Sequence, residues 1–243
     1  MKNRIIKYYK IFMSILKLQL LNIEFKDFNS NNYELYTKTH LFFTKPHRLK
    51  IFKNKTIGVA LLRIDDFEDF DCYYKSVNGK NSAAYYSRKS IKRGYCFTEV
   101  DLNNYIDDVF EINTSAKLRQ GREMSEKYLT KQKEFHRNEN YRYYGVLNID
   151  GRLVSYCSVA FFGQFLSIDN LLGHKSYLND GIMYLMLIEL NRIIFNEMRG
   201  GGLEFVMYDT FFGASDGIKL FKKKLGFKPY KVNWILENKF DNK

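Results

Sequence analysis

The chain has 243 residues, 45% of them hydrophobic with 21 Phe and 19 Tyr, which excludes an intrinsically disordered polypeptide and suffices for one domain plus a small second unit or a long extension. Its net charge of +12, from 39 Lys and Arg against 27 Asp and Glu, attracts phosphates, nucleic acid or anionic lipid, although AT-rich coding yields such Lys-rich compositions without any polyanionic partner. The three distant cysteines, Cys72, Cys96 and Cys157, form neither a disulfide framework nor a CxxC pair and fit a reducing cytoplasm; His40, His47, His136 and His174 show no ligand spacing, so no metal is indicated.

Residues 5–21 are rich in apolar side chains, but Lys7, Lys10 and Lys17 interrupt them before a membrane-spanning run of about 18 can form. No small-residue cleavage site follows, so neither a span nor a secretion signal is expected. What remains is a basic amphipathic helix, packed on its own protein or lying peripherally on a membrane. Residues 56–64 read as a buried strand, and the acidic stretch 65–71 as a solvated turn. Residues 81–93 read as a helix closed by Gly94, with Lys80, Arg88, Lys89, Lys92 and Arg93 interleaved with Tyr85, Tyr86 and Tyr95. That stretch suits a tRNA or DNA backbone, and equally a solvated amphipathic face.

From residue 95 the order becomes regular. A strand (95–100) leads to a helix capped by Asp101 and running through Ile112, and a polar loop then leads to a second helix starting at Ser125 and ending near Phe135. Strands 141–149 and 153–162 form a hairpin through Asp150-Gly151, the dipeptide that a type I′ turn prefers. A strand (165–172), an almost wholly apolar helix (182–198), a strand (203–208), a helix capped by Ser215 or Asp216 and ending at Leu225, and a last strand (227–236) complete the chain. This is an α/β layer arrangement with a mixed, mostly antiparallel sheet flanked by helices.

That order resembles the GNAT acyltransferase fold over residues 95–236. The resemblance is most specific from Gly217 to Pro229, where GIKLFKKKLGFKP is similar to the GL..FK...GF.P signature of FemAB-like members. It divides the chain into an N-terminal extension or degenerate subdomain, 1–94, and a GNAT-like domain, 95–243. It implies acyl transfer from acyl-CoA to a small-molecule amine or amino sugar. Two departures lean toward the FemAB-like branch, whose donor can be an aminoacyl-tRNA. Only Gly181 stands where the usual glycine-rich pyrophosphate loop would be, and Phe221 and Lys222 occupy the neighbourhood of the usual acid, a tyrosine.

The resemblance also implies that the strand before the central helix splays from the next strand, leaving backbone N–H groups for the donor. This assigns donor binding to Leu171, Leu172, Asn179, Asp180 and Gly181. The candidate general base is Asp169, since family members often carry an acid on this strand and Phe165, Leu166 and Leu171 are apolar enough to raise its pKa. The alternative for Asp169-Asn170 is a turn that bonds its own backbone. Tyr208 and Asp209, at the end of the following strand, and His174 are further catalytic candidates, with strand packing and loop filling as their structural alternatives. Arg119, Gln120 and Arg122 offer two guanidinium forks and an amide to an acceptor carboxylate, phosphate or sugar, or form a solvated basic loop around Gly121. The non-enzymatic alternative is a GNAT-like module that binds nucleic acid or a membrane surface. Strands that stay paired along their whole length around Ile168 and Val206 would favour it, because no slot for a donor would remain. No heptad or apolar stripe specifies an oligomer.

Overall fold

The computed structural model describes residues 13–26, 33–47, 52–119, 122–135 and 139–236. Eight strands form one mixed sheet in the spatial order β1-β10-β2-β9-β8-β7-β6-β3. They are β1 (Leu20–Phe25), β2 (Ile57–Arg63), β3 (Cys96–Glu99), β6 (Tyr141–Leu147), β7 (Leu153–Phe161), β8 (Phe165–Gly173), β9 (Phe205–Thr210) and β10 (Lys228–Leu236); β4 (Leu118–Arg119) and β5 (Arg122–Glu123) make a separate short ribbon. Pairing is parallel between β1 and β10 and between β8 and β9, and antiparallel elsewhere. The helices are α1 (Tyr33–Thr44), α2 (Phe70–Ser76), α3 (Ala83–Lys92), α4 (Ile106–Thr114), α5 (Glu126–Leu129), α6 (Ile182–Ile193) and α7 (Asp216–Lys224).

The pattern of each strand explains its place. In β2 and β7 the apolar run is buried on both faces, as suits strands in the middle of a sheet, whereas β10 alternates. One face is covered by α6, where Leu185, Met186 and Ile188 pack with Val159, Leu166, Ile168 and Val206. On the other face α1 packs Tyr36 and Phe43 against Phe25, Phe162, Phe165 and Trp234, and α4 packs Val109 and Ile112 against Leu153 and Tyr156. The stretch between α1 and α4 on this second face holds the site.

Several elements differ from their sequence reading. β1 and α1 were not expected, and the portion of the 5–21 helix up to residue 12 lies outside the described residues. Where a solvated acidic turn was expected, Asp69 caps α2 by accepting from Cys72 N at 2.7 Å, so the acidic run ends in a helix N-terminus. The helix expected from Ser125 to about Phe135 is a single turn, α5, because nothing from Glu126 to Glu134 is buried and no apolar stripe sustains it. The 141–161 hairpin is present, but not with a two-residue turn. Asn148 N donates to Arg152 O at 2.9 Å across a three-residue loop, Asn148 Oδ1 accepts from Asp150 N and Arg152 N, and Gly151 takes a left-handed φ of 77°. The Asn148 side chain thus selects a longer turn with a left-handed glycine over the type I′ form. Residue 94 does not mark an edge of the sheet: β1 and β2 belong to it, and β2 lies between β10 and β9, antiparallel to both.

Candidate active site

The parallel strands β8 and β9 pair only through Phe165 with Phe205, Leu166 with Val206 and Ser167 with Met207. Beyond that point β8 stays with β7 and β9 stays with β2, and the sheet forks. A register irregularity marks each side of the fork. Val159 faces Ile168 while the adjacent Ser158 faces Asn170, so Asp169 is the extra residue of a β-bulge. On the other side Leu61 faces Met207 and Val59 faces Thr210, which leaves an extra residue on β9, where Asp209 has a left-handed φ of 51°. A bulge re-aims a side chain out of the regular alternation. Here two bulges turn the carboxylates of Asp169 and Asp209 into one cleft.

The cleft has a volume of about 600 Å³ and is lined by α1 (Lys38, Thr39, Phe42, Phe43), by Lys55, by Met124 and Tyr128, and by both prongs of the fork. Asp169 presents a solvent-exposed face to it, while Ser167 Oγ donates to its Oδ1 at 2.8 Å. Crowding by protein on the remaining sides pushes its carboxyl above the usual carboxylate pKa, against the opposing pull of Ser167, the Tyr141 hydroxyl and Lys55. Asp209 forms an ion pair with Lys55. Tyr208 lies between the prongs, its phenol pKa raised by burial and then by the Asp209 charge. Leu171 and Leu172 also line the cleft, and Asn170 Oδ1 accepts from Tyr128 at 2.5 Å, which fastens α5 over it.

The remaining candidates are placed differently. Arg119 lines the cleft but directs its guanidinium to the backbone: NH1 donates to Gly173 O at 2.9 Å, and NH2 donates to Ser115 Oγ at 3.0 Å and to Ile112 O. It clamps the end of α4 to the end of β8, and its buried Nε has no partner among the described residues. Gln120 and Gly121, and the side chain of Arg122, lie outside the described residues. His174 points away from the cleft, because its N–H bonds Val154 O and so draws the chain back toward β7, and its Nδ1 accepts from Ser176 N. It faces a separate small pocket with Asp108, Glu111 and Arg152.

Asn179, Asp180 and Gly181 are held against α3. Asp180 pairs with Arg93 and accepts from Tyr95 Oη at 2.6 Å, and Asn179 O accepts from Lys89. Gly181 has a φ of 88°, and a Cβ there would come within 2.5 Å of the Tyr86 carbonyl oxygen. Gly181→Ala should therefore destabilise the fold by about 2–4 kcal/mol, through both the left-handed backbone and the clash, read as a lowered thermal midpoint. An unchanged midpoint would mean that α3 does not sit on the start of α6.

Lys222 was not singled out as a site residue from the sequence. It is 1% exposed, donates from Nζ to Thr210 O at 2.8 Å, and lies 4.5 Å from the Tyr208 ring centroid. Burial pulls its pKa down to about 8, against the raising effect of Asp209 and with a further lowering by Lys55. The signal was present: Ile218, Phe221, Lys222 and Leu225 fall on one helical stripe, the stripe that α7 turns inward.

No protein-family model and no curated protein matches the sequence. Among solved structures the chain is similar to FemX, with a TM-score of 0.56 and 11% identity over 84% of this chain and 67% of that one. The chain has a GNAT-like fold. Weaker likenesses are to a tandem GNAT protein from the clavulanic acid biosynthesis pathway (TM-score 0.45, 15% identity, 72% of this chain) and to L-PGS from Bacillus licheniformis (TM-score 0.43, 16% identity, 73% of this chain). The chain spans 50% of the former and 62% of the latter. Strands β1 and β2, from the residues before 95, belong to the sheet of this GNAT-like fold, and β2 fills a central position in it.

Proposed function

We propose that the chain is an acyltransferase that moves an acyl group from an activated ester or thioester to an amine in the forked cleft. The parting of β8 from β9 after Ser167 and Met207 carries this reading, because continuous pairing would have left no room for a donor and favoured a binding module instead. In the reaction the neutral amine nitrogen attacks the acyl carbonyl carbon and a C–N bond forms. Asp169, as carboxylate, takes the proton that the nitrogen loses, the C–O or C–S bond breaks, and the leaving group takes a proton from solvent. Backbone amides on the facing edges of the fork supply donors to the oxyanion.

Acyl-CoA and an aminoacyl ester on tRNA are the two donors to be weighed, and one observation favours the second. The pyrophosphate of CoA needs an open helix start with close backbone approach. At the start of α6 that approach is occupied by Tyr86, whose ring stacks on Tyr184 at 5.0 Å, with Phe221 against Tyr184 at 4.7 Å. The acceptor in this reading is a small-molecule amine or amino sugar seated between α1 and α5. No described helix is long and apolar enough to cross a membrane, and free thiols at Cys72, Cys96 and Cys157 suit a reducing cytoplasm.

Thermal unfolding in the presence of CoA, acetyl-CoA or bulk tRNA separates the readings. A ligand at 100 times its Kd that binds only the folded state adds about 2.7 kcal/mol. We expect a salt-sensitive shift with tRNA alone. A shift with acetyl-CoA alone would return the donor to CoA, and silence from all three would count against acyl transfer.

A further inference from the structure

The outer side of α3 carries a charge pattern that the cleft does not use. From Lys80 to Thr98 there are five cations, Lys80, Arg88, Lys89, Lys92 and Arg93, and no acidic residue. The helix is set rigidly, with Ser82 Oγ accepting from Tyr85 N at its start and a small inner stripe of Ala83, Ala84, Ser87 and Ser90 buried against the body of the protein. Its exposed side carries Tyr85, Arg88 and Lys92, an aromatic ring and two cations on one line, with the apolar Ile91 beside them. Tyr85 is 44% exposed.

The C-terminal turn of α7 adjoins this helix. Lys224 Nζ lies 4.9 Å from the Tyr86 ring centroid, and Lys223 beside it is exposed. Arg93 is neutralised by Asp180, and Arg88 is steadied by Tyr74 Oη and Asn78 Oδ1. Lys92 and Lys223 have no ion-pair partner among the described residues. The rings of Tyr86, Tyr184, Phe221 and Tyr208 touch in series, at centroid separations of 5.0, 4.7 and 6.4 Å, and so connect this surface to Tyr208 in the cleft.

We propose that the outer face of α3 and the last turn of α7 form one docking surface for the phosphodiester backbone of a folded RNA, on the α6 side of the sheet and joined through the fork to the cleft on the other side. The proposal rests on the reading of an aminoacyl ester on tRNA as donor, and it places the stem that carries the ester. Arg88, Lys92 and Lys223, none of them paired with a carboxylate among the described residues, match a row of phosphates, and an exposed tyrosine among them offers a stacking platform. A lipid surface would instead be met by a broad apolar stripe, whereas here the exposed apolar residues Tyr85 and Ile91 are separated by Arg88 and flanked by Lys92.

The test is binding of fluorescently labelled bulk tRNA to the full chain, by anisotropy, across a salt series starting at about 50 mM. The double variant Lys92→Glu/Lys223→Glu should weaken binding at least tenfold, and its salt dependence should flatten by a slope of about 2, one for each lysine. Tyr85→Ala should weaken binding with the salt slope unchanged. A matched pair, Lys117→Glu/Lys133→Glu, places the same charge change on exposed sites beside α4 and α5, across the sheet from α6, and should bind close to wild type. The milder Lys92→Gln/Lys223→Gln serves if the charge reversal perturbs the thermal midpoint. Absence of tRNA binding by the wild type, equal loss in the matched pair, or equal competition by a DNA hairpin of the same length would overturn the proposal. tRNA binding lost through Lys92 and Lys223, combined with a thermal shift by acetyl-CoA, would leave this surface standing while removing the tRNA-donor reading.

Discussion

Replacing Asp169 with asparagine should lower acyl transfer, to whichever amine the ligand screen returns, by about 10²–10⁴-fold, the range that a positioned general base contributes. Three features of its surroundings lead there. The bulge at Asp169 aims the carboxylate into the cleft, Ser167 Oγ holds one oxygen at 2.8 Å, and crowding raises its pKa and with it its strength as a base. In the wild type kcat/KM should fall toward low pH along a limb displaced upward from that of a free carboxylate, and Asp169→Asn should abolish the limb along with the rate. Stability gives an independent sign. A carboxyl whose pKa is higher in the folded state favours folding at low pH, and that benefit is lost as pH rises through the window between its unfolded and folded values. At neutral pH the amide should therefore leave the thermal midpoint unchanged or raise it. A variant that unfolds early, or one that keeps a tenth or more of the activity, would make Asp169 a turn residue and nothing more.

The second large effect is expected at Lys222, where stability and activity should move in opposite directions. A buried ammonium is costly unless fully compensated, and this one has a single backbone acceptor together with Tyr208 and Asp209 nearby. Lys222→Met keeps the volume, removes the charge and gives up one hydrogen bond to Thr210 O. It should raise the midpoint at pH 7 while slowing transfer roughly tenfold, less than the ~10²–10³ lost with a direct oxyanion donor. As a positioning residue, Lys222 acts through Tyr208 to Thr210. The pH dependence tests this directly. With a folded pKa of about 8 against 10.5 for the free side chain, the unfolded chain holds a proton between those values that the folded chain has released. Wild-type stability should consequently gain, relative to Lys222→Met, as pH rises from about 8 to 10.5, by on the order of 3 kcal/mol. Tyrosines with raised pKa values oppose this above pH 10, but they are common to both proteins and cancel in the difference. A midpoint that drops in Lys222→Met at every pH would mark the lysine as a plain structural strut.

Much of the scaffold could be read from the residues because its strongest signals are local. Ser215 caps its helix, Asp101 caps the 3₁₀ turn at residues 102–105 that leads into α4, the apolar run of residues 182–193 can only be a buried helix, and the alternation on either side of Asp150-Gly151 can only be a hairpin. The cleft was legible in part. Asp169, Tyr208, Asp209, Leu171, Leu172 and Arg119 all line it. What could not be read was which way each side chain points. The bulges that turn Asp169 and Asp209 inward arise from pairing with strands far away in sequence, and no local propensity encodes them. Arg119 looked like an acceptor clamp because a guanidinium fork suits a carboxylate, yet backbone carbonyls at Ile112 and Gly173 take it instead. Lys222 was hidden in a run of lysines, three of which are consecutive, and only the helical stripe separates the buried one from its solvated neighbours.

The central position of β2 has a consequence for how the molecule is made. A ribosome releases Ile57 to Arg63 long before either of the strands that flank it, and the sheet cannot close until the last strand arrives to pair with it. During that interval a strand with both edges bare and both faces apolar waits in a nascent chain, which is the condition under which wrong partners are found. Contacts between chain segments so distant in sequence also make for slow closure. Synthesis of this protein therefore carries a period of exposure whose length is set by translation speed, and chaperone demand would be concentrated there.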